Sequence, residues 1–440
     1  MTSRTPKPAC GTFRLCASDT IDSEWKGLDR KVKPRVLVVS TCNWISPARL
    51  AIALTEAGFT VEGICPSGHL LRKVDGVKKL YTYSALLPLR SVSRAIEAAH
   101  ADLVLPCDDL ATRHLHALYK KDSQSGKNEV AALIEQSLGA PEYFGIVDAR
   151  TAFMQLAHGE GVRVPKTAVV NELAELGKWA QNGDLPLVLK ADGTSSGEGV
   201  AVINAVEQGD RAFRILHAPP KFLRTLKWAL VNHNFRPVLP MLLRRRAVVN
   251  VQSFVNGREA TSLIACWKGK VLAQLHFEVL CLQQTAGPAS VLRLINNAEM
   301  SAAAEAMACK LQLSGLHGFD FMLEQGTGKA YLIEINPRTT QVGHLALGPG
   351  RDLPAALYGA VTGQPIEPRP RVSDNDIIVL FPQAWLTNPT NAFLRSGYHD
   401  VPWGQPDLMR SCLNSRNRIS DWLSRQKVLR TLWGPGLPRL

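Results

Sequence analysis

The sequence predicts an α/β protein that opens with a doubly wound parallel sheet and continues into strand-rich regions carrying glycines and acids. Three observations carry that prediction. Short β-branched runs alternate with helical patterns near the start of the chain. A strand ending in lysine runs into a glycine-rich loop near the middle. A later apolar alternating run, within Tyr331–His344, sets Glu334, Asn336 and Arg338 at every second position.

Val36–Ser40 (VLVVS) has the continuous β-branched character of a strand buried on both faces. Ser46–Gly58 reads as the following helix, with Ser46 as N-cap, Pro47 in the first turn and Gly58 at the C-terminal end. Phe59–Cys65 is the next strand, Val92–His100 a helix and Leu103–Pro106 another strand. Alternation with short links implies a parallel sheet with helices on both faces. The turn after the first strand, TCNWIS, lacks GxGxxG, so no dinucleotide fingerprint is present. Glu129–Ser137 and Asp148–Gly159 read as further helices. The organisation expected is a flexible leader over 1–33, the parallel-sheet domain over 34–140, a glycine-loop subdomain over 141–255, a larger α/β subdomain over 256–370 and a C-terminal extension over 371–440. The Pro368–Val372 segment (PRPRV) marks the last joint. IIVLFPQAWL gives one strand in the extension, and Asn414–Leu432 reads as a basic amphipathic helix.

At 440 residues the chain is too long for one core. No apolar run approaches the roughly 18–20 residues of a membrane span, and the N-terminus lacks the apolar core of a secretory signal. Nine scattered cysteines without a CxxC pair point to a reducing, cytoplasmic setting and against a zinc site. The net charge of +13 sits mostly at the ends, with +4 in residues 1–35 and +6 in 410–440. Aromatic and basic residues do not interleave there as in a base-stacking platform, so solvated termini are expected and nucleic acid is not.

The chemistry is concentrated in two places. Side chains two apart on a strand share a face, so Glu334, Asn336 and Arg338 project together. Asp320, in its own apolar run GFDFML, can lie on a neighbouring strand beside Glu334. Two carboxylates and an amide oxygen suit Mg²⁺, whose shell phosphates and water complete. The plainer reading is a polar strand face with a surface salt bridge. Upstream, Leu187–Lys190 leads into ADGTSSGEGV, where Gly193, Gly197 and Gly199 let the backbone curl over an anion while Lys190 supplies a point charge. The lysine precedes the glycines, so this is not GxxxxGK[ST]. Asp192 and Glu198 read as solvated loop acids. GxSxG and cysteine-nucleophile signatures are absent.

Lys190 with its glycine loop, then QSFVNGREAT, then Asp320, then EINPR, in this order and spacing, resembles the ATP-grasp superfamily over roughly Val36 to Gln364. The likeness is to carboxylate–amine ligases, biotin carboxylase and carbamoyl phosphate synthetase. It implies a Rossmann-like pre-ATP-grasp domain followed by a two-subdomain ATP-grasp fold. It also implies ATP and Mg²⁺ as cofactors, with Mn²⁺ as an alternative. Carried over by position, Arg150 and Lys190 would bind phosphates, and Gly193, Ser195, Ser196, Gly197 and Gly199 would belong to the lid. Gln252, Ser253, Phe254 and Val255 would form the adenine hinge, where the family usually has Glu in place of Gln252. Glu259 would hold the ribose and Asp320, Glu334 and Asn336 the metal. Arg338, with Lys190, would act on the transferred phosphate or acyl substrate. On the residues alone, Arg150 also reads as a helix-face arginine and Glu259 as a surface acid.

The function expected is an ADP-forming ligase that activates a small-molecule carboxylate as an acyl phosphate and joins it to an amine, often an amino acid. Alternatives are a carboxylase or carbamoyl-phosphate-type enzyme, and a catalytically inactive nucleotide-binding regulator. A carboxylase would need a separate biotin carrier, since no AMKM-like lysine motif occurs. Trp44, Arg49, Gln341, His344 and the polar stretch Leu280–Ser290 are further candidates for the substrate wall, although a lone histidine such as His344 more often reads as a satisfied structural residue. The stretch reads equally as an ordinary connection between strand and helix. A homodimer is the commonest assembly for such a chain.

Overall fold

The computed structural model describes residues 33–413, except 127, 182–184, 195–198, 220–221, 223–224, 226–237, 245, 285–286, 365–366 and 368. The expected leader and the expected helix Asn414–Leu432 lie outside the described residues.

The first sheet contains β1 (Arg35–Val39), β2 (Thr60–Cys65), β3 (Lys79–Thr82) and β4 (Leu103–Pro106), all parallel, in the order β3-β2-β1-β4. Helices α1 (Ser46–Glu56), α2 (Pro88–Ala99), α3 (Asp109–Ser125) and α4 (Asn128–Leu138) connect and cover it. Val36 and Val38 pack with Leu50 and Leu54 of α1, whereas Leu37 and Val39 pack with Val92, Leu115 and Ile134 of the other helices. Burial on both faces is why β1 is apolar throughout rather than alternating. The chain leaves β1 for β2 on one side and returns to β4 on the other. The loops after β1 and β4 therefore open a crevice at the carboxyl ends of the strands, where ligands of such sheets gather.

Two details of this region differ from expectation. Ser46 is the first helical residue, not the cap: Ile45 precedes α1 and makes no side-chain capping bond. The seventeen-residue α3, not anticipated although Ala111, Leu115 and Leu118 recur at helical spacing, is launched by Asp108, whose Oδ1 accepts the Ala111 N–H at 2.9 Å.

Helices α5 (Phe144–Asp148) and α6 (Arg150–Gly159) lead to the second sheet; the single helix expected over Asp148–Gly159 is broken at Ala149, whose backbone is extended. This sheet is antiparallel, with β5 (Thr167–Val170), β6 (Leu187–Ala191), β7 (Val200–Ile203) and β8 (Val249–Ser253) in the order β5-β8-β6-β7. Helices α7 (Leu173–Gln181) and α8 (Val206–His217) belong to it, and α9 (Val238–Leu242) precedes β8. Leu187, Leu189, Val249 and Val251 face the core it shares with α7 and α8. By the period of two, Lys190, Asn250 and Gln252 face the other way.

The third sheet has β9 (Gly257–Trp267), β10 (Lys270–Leu282), β11 (Ala289–Leu294), β12 (Gly315–Glu324), β13 (Ala330–Asn336), β14 (Ile377–Val379) and β15 (Tyr398–His399), in the order β13-β12-β9-β10-β11-β14-β15. Its helices are α10 (Ala298–Lys310), α11 (Leu353–Thr362), α12 (Gln383–Thr387) and α13 (Phe393–Ser396). IIVLFPQAWL is thus a three-residue strand followed by a short helix, not one strand. Leu280–Ser290 lies in the β10–β11 hairpin rather than between a strand and a helix, closed by Gln283 N–H to Pro288 O at 2.8 Å.

One face of this sheet packs Ile264, Phe319 and Phe321 against Phe153 of α6 and Met300 and Met307 of α10. On the other face Leu263, Ala265, Leu275 and Phe277 join α1 and α11 in the core that ties the third sheet to the first. The same face changes character towards the β9 start and the ends of β12 and β13, where Glu259, Thr261, Asp320, Glu334 and Asn336 stand. Phe277 is fully buried in the apolar part. Phe277→Ala should cost about 3–5 kcal/mol, read as a lowered midpoint in urea unfolding.

Candidate active site

Asp320 and Glu334 stand directly opposite each other in the antiparallel β12–β13 pair, with Gly318 opposite Asn336. A register shift between Asp320 and Phe321 leaves Ile333 as an extra residue on β13. Such a bulge re-aims the side chains beyond it, and here it brings Glu334 rather than Ile333 opposite Asp320. Gly318 is required by close approach: a Cβ there would sit 2.5 Å from Thr340 Cγ2 and 3.2 Å from Asn336 Cβ. Asn336 Nδ2 donates to Asp320 Oδ2 at 2.9 Å, and Thr261 Oγ1 donates to Asp320 Oδ1 at 2.9 Å from β9. Burial, followed by the Glu334 charge, pushes the Asp320 carboxyl above its ordinary pKa, while Thr261 and Asn336 pull it back.

Three cations meet these acids. Arg150, at the start of α6, places Nη2 and Nη1 each 3.0 Å from the two Glu334 oxygens, and its Nε lies 3.8 Å from Asp192 Oδ1. Lys190 is only 6% exposed. Burial chiefly, and Arg150 next, lower its pKa to about 8, while Glu334, Asp320 and Glu259 pull upward. Arg338 is past the strand end: β13 stops at Asn336, and the Arg338 N–H returns to Asn336 O at 2.7 Å. The expected alternation thus holds for Glu334 and Asn336 but not for Arg338. Its guanidinium donates to Asp109 Oδ1 at 2.8 Å and to Asn336 Oδ1 at 3.2 Å.

The glycine loop begins where β6 ends. Gly193 and Gly199 have φ of +76° and +75°, a left-handed backbone that side chains disfavour. Thr194 Oγ1 donates to Ala191 O at 2.7 Å, and the Ala191 N–H to Gly199 O at 2.8 Å. A cleft joins these parts, lined by Asp109, Arg113, Asp148, Arg150, Asp192, Gly193 and Glu334, among others.

Residues 241–342 match the sequence family of the ATP-grasp domain. Solved structures share the fold around that segment. The biotin carboxylase domain dimer of Hydrogenobacter thermophilus 2-oxoglutarate carboxylase, in complex with MgADP, ADP and bicarbonate, is 14% identical and covers 78% of this chain and 72% of its own, at a TM-score of 0.53. An ADP complex of N5-carboxyaminoimidazole ribonucleotide synthetase is 16% identical over 77% of this chain and 80% of its own, at 0.54. A Campylobacter jejuni biotin carboxylase nucleotide complex is 14% identical over 76% and 72%, at 0.52. No curated protein sequence matches the chain. The architecture is therefore a parallel-sheet domain followed by the two-sheet ATP-grasp fold.

The cleft lining takes in Arg150, Gly193 and Glu334; Asp320 stands opposite Glu334 with Asn336 bonded to it, Lys190 is buried on β6, and Arg338 lies at the turn after β13 beside Asp109. Glu259 sits on β9 two residues before Thr261, exposed. Although the residue is exposed, the protein around its carboxyl displaces part of its water, and this first and Asp320 next raise its pKa, while Lys190 lowers it. Ser195, Ser196 and Gly197, with Glu198, lie outside the described residues. On the β8 side, Gln252 is buried and donates Nε2 to Thr167 Oγ1 at 3.0 Å, while the Ser253 N–H is taken by Lys166 O at 2.9 Å. Phe254 is exposed and Val255 half-buried.

Asp192 is not a solvated loop acid: Asn250 Nδ2 donates to it at 2.8 Å, and Arg150 faces it. Arg49 and His344 fall outside the lining of the cleft and instead share Asp400, at 3.1 and 3.0 Å, in a buried cluster between α1 and the segment after β14. Trp44 Nε1 is buried without a hydrogen-bond partner, and Gln341 is half-buried. Asp109, Thr261 and Asn250 were not anticipated. The pair Asp108–Asp109 directly after an apolar strand was a usable signal, because ligands gather at such strand ends. Nothing local marked Thr261 or Asn250.

The donor set fits a hard divalent cation. Asp320 and Glu334 face each other with a mutual repulsion that a cation relieves, and Asn336 adds an amide oxygen. Among the described residues no three His, Cys, Asp or Glu side chains converge as a self-sufficient metal site. This is the arrangement expected where phosphate oxygens complete the shell.

The depressed Lys190 pKa has a measurable sign. Between about 8 and the ordinary 10.5 the unfolded chain holds a proton that the folded chain has released, so this group makes the fold more stable as pH rises through that window. Urea unfolding of Lys190→Met across the window should show a flatter rise than the wild type.

Proposed function

We propose that this chain is an ADP-forming, ATP-dependent enzyme that activates a carboxylate as an acyl phosphate and transfers the acyl group to an amine. The observation that carries the reading is the pairing of Arg150 with Glu334 opposite Asp320, with Lys190 buried among the same charges and Arg338 bonded to Asn336 and Asp109 beside them. In this reading Lys190 and Arg150 hold phosphate oxygens beside Gly193. Adenine lies against Gln252–Val255 and the ribose beside Glu259. Mg²⁺ held by Asp320, Glu334 and Asn336 would neutralise charge on the phosphates.

The first step breaks the bond between the γ-phosphorus and the β–γ bridging oxygen as a carboxylate oxygen attacks, and ADP leaves. In the second, an amine nitrogen attacks the acyl carbon, inorganic phosphate leaves, and the nitrogen loses a proton. Both steps gather negative charge on oxygens. Arg338, held in place by Asp109, can stabilise that charge without forming a covalent bond to substrate. The crevice beside Asp109 and Arg113 is the proposed place for the carboxylate and the amine. A reducing, cytoplasmic setting fits the thiols of Cys42, Cys65, Cys107, Cys266 and Cys281.

A second reading, with bicarbonate as the carboxylate, draws on the similar biotin carboxylase domain whose complex contains bicarbonate. ADP release from Mg-ATP, screened over carboxylic acids with pooled amino acids, tests both. ADP formed only with an acid and an amine together supports the ligase, and ADP formed with bicarbonate alone supports the second reading. Glu334→Gln should abolish Mg²⁺-dependent turnover with the fold intact; full activity would remove Glu334 from the metal site. Lys190→Ala should weaken ATP binding by roughly tenfold or more, the loss of one charge-assisted contact of about 1.5–3 kcal/mol, read with a fluorescent ATP analogue.

A further inference from the structure

Arg150 and Glu334 have separate tasks in the reading just given, one towards phosphate and one towards metal, yet the structure pairs them with each other. Both Glu334 oxygens lie 3.0 Å from the two terminal nitrogens of one guanidinium. The third nitrogen of the same group faces Asp192 Oδ1 at 3.8 Å. Arg150 is 9% exposed, Glu334 33% and Asp192 23%. The acids are fixed from behind, Glu334 by the β12–β13 register and Asp192 by Asn250, which also accepts from Thr151 beside Arg150. One side chain therefore ties the start of α6 to an acid of the third sheet and to the first residue of the glycine loop.

We infer that Arg150 is a latch that covers the Glu334 carboxylate until nucleotide arrives, so that divalent cation and nucleotide enter the cleft together and neither binds well alone. The inference rests on the nucleotide reading above. Its basis is charge balance around a guanidinium that is itself only 9% exposed. A cation at Glu334 would strand the Arg150 guanidinium, and a phosphate at Arg150 would leave Glu334 opposite Asp320 with its charge uncovered. Breaking one half of a buried pair is strongly unfavourable. Exchanging both halves at once, phosphate for Glu334 and divalent cation for Arg150, keeps every charge partnered. By linkage, whatever one ligand gains from the other is returned in equal measure. Release of Arg150 also ends the link from Asp192 to β13, while Asn250 keeps Asp192 in place.

The test uses the full chain without nucleotide and Mn²⁺ as probe, following the free-ion signal by electron paramagnetic resonance. Arg150→Met should bind Mn²⁺ at least about fivefold more tightly than the wild type, the low end of typical couplings. Adding Glu334→Gln to that variant should remove the gain. Arg150→Lys, with the charge but not the fork, should fall between. In the converse arm, Glu334→Gln should bind a fluorescent ATP analogue in EDTA at least about fivefold more tightly than the wild type, because Arg150 is then free for phosphate. Wild-type-like Mn²⁺ binding by folded Arg150→Met overturns the latch. If that variant does not fold, wild-type-like metal-free nucleotide binding by Glu334→Gln overturns it. A wild-type chain that binds no nucleotide even with Mg²⁺ would take down the nucleotide reading, and the latch with it.

Discussion

Two carboxylates, Asp320 and Glu334, are held face to face across adjacent strands, and the rest of the site is arranged around that repulsion. Neither acid can retreat, because each is fixed by the register of a sheet whose opposite face is filled by Phe319, Phe321 and the helices behind them. Compensation has to come from elsewhere in the chain. It comes from Arg150 at the start of α6, Lys190 on the second sheet and Arg338 at the turn after β13. The cost of leaving a buried charge unpaired thus binds the second sheet, α6 and the third sheet into one electrostatic unit. It also explains why Lys190 titrates so far below an ordinary lysine.

The first sheet takes part through Asp109. Its carboxylate holds Arg338, while Thr112 Oγ1, one turn into α3, donates to Pro337 O at 3.0 Å. The crevice at the ends of β1 and β4 is thereby joined to the turn that follows the acidic strand. The apolar half of the third sheet reinforces the union, since Leu263, Leu275 and Phe277 share a core with α1. The same strand face is oil at one end and charge at the other. Along β9 the change falls between Leu263 and Thr261, a single step of the two-residue period.

Much of this was legible before the structure. β1, β4, β6 and the acidic strand announced themselves by β-branched runs, and the chemistry-bearing residues by their order and spacing. What stayed hidden has identifiable causes. α3 buries only a narrow stripe, Ala111, Leu115 and Leu118, among polar residues, so its period was easily missed. Its start was marked only by Asp108. β14 is three residues long, and its place beside β11 depends on a pairing more than eighty residues away. Arg49 and His344 looked like substrate contacts because ionisable residues near strand ends often are. Asp400, far along the chain, makes them parts of a buried structural cluster instead.

The sequence by itself determined which side chains share a strand face, since alternation is a property of the local backbone: Glu334 with Asn336, and Lys190 opposite the apolar Leu187 and Leu189. It determined the glycines whose left-handed backbone opens the loop after β6. Only the tertiary structure decided which strands lie side by side, where the bulge at Ile333 falls, and which cation meets which acid. Those outcomes depend on register and charge pairing between distant segments, 184 residues apart for Arg150 and Glu334 and 229 for Asp109 and Arg338. No local pattern encodes that pairing, because both partners are acceptable surface residues until folding brings them out of water together.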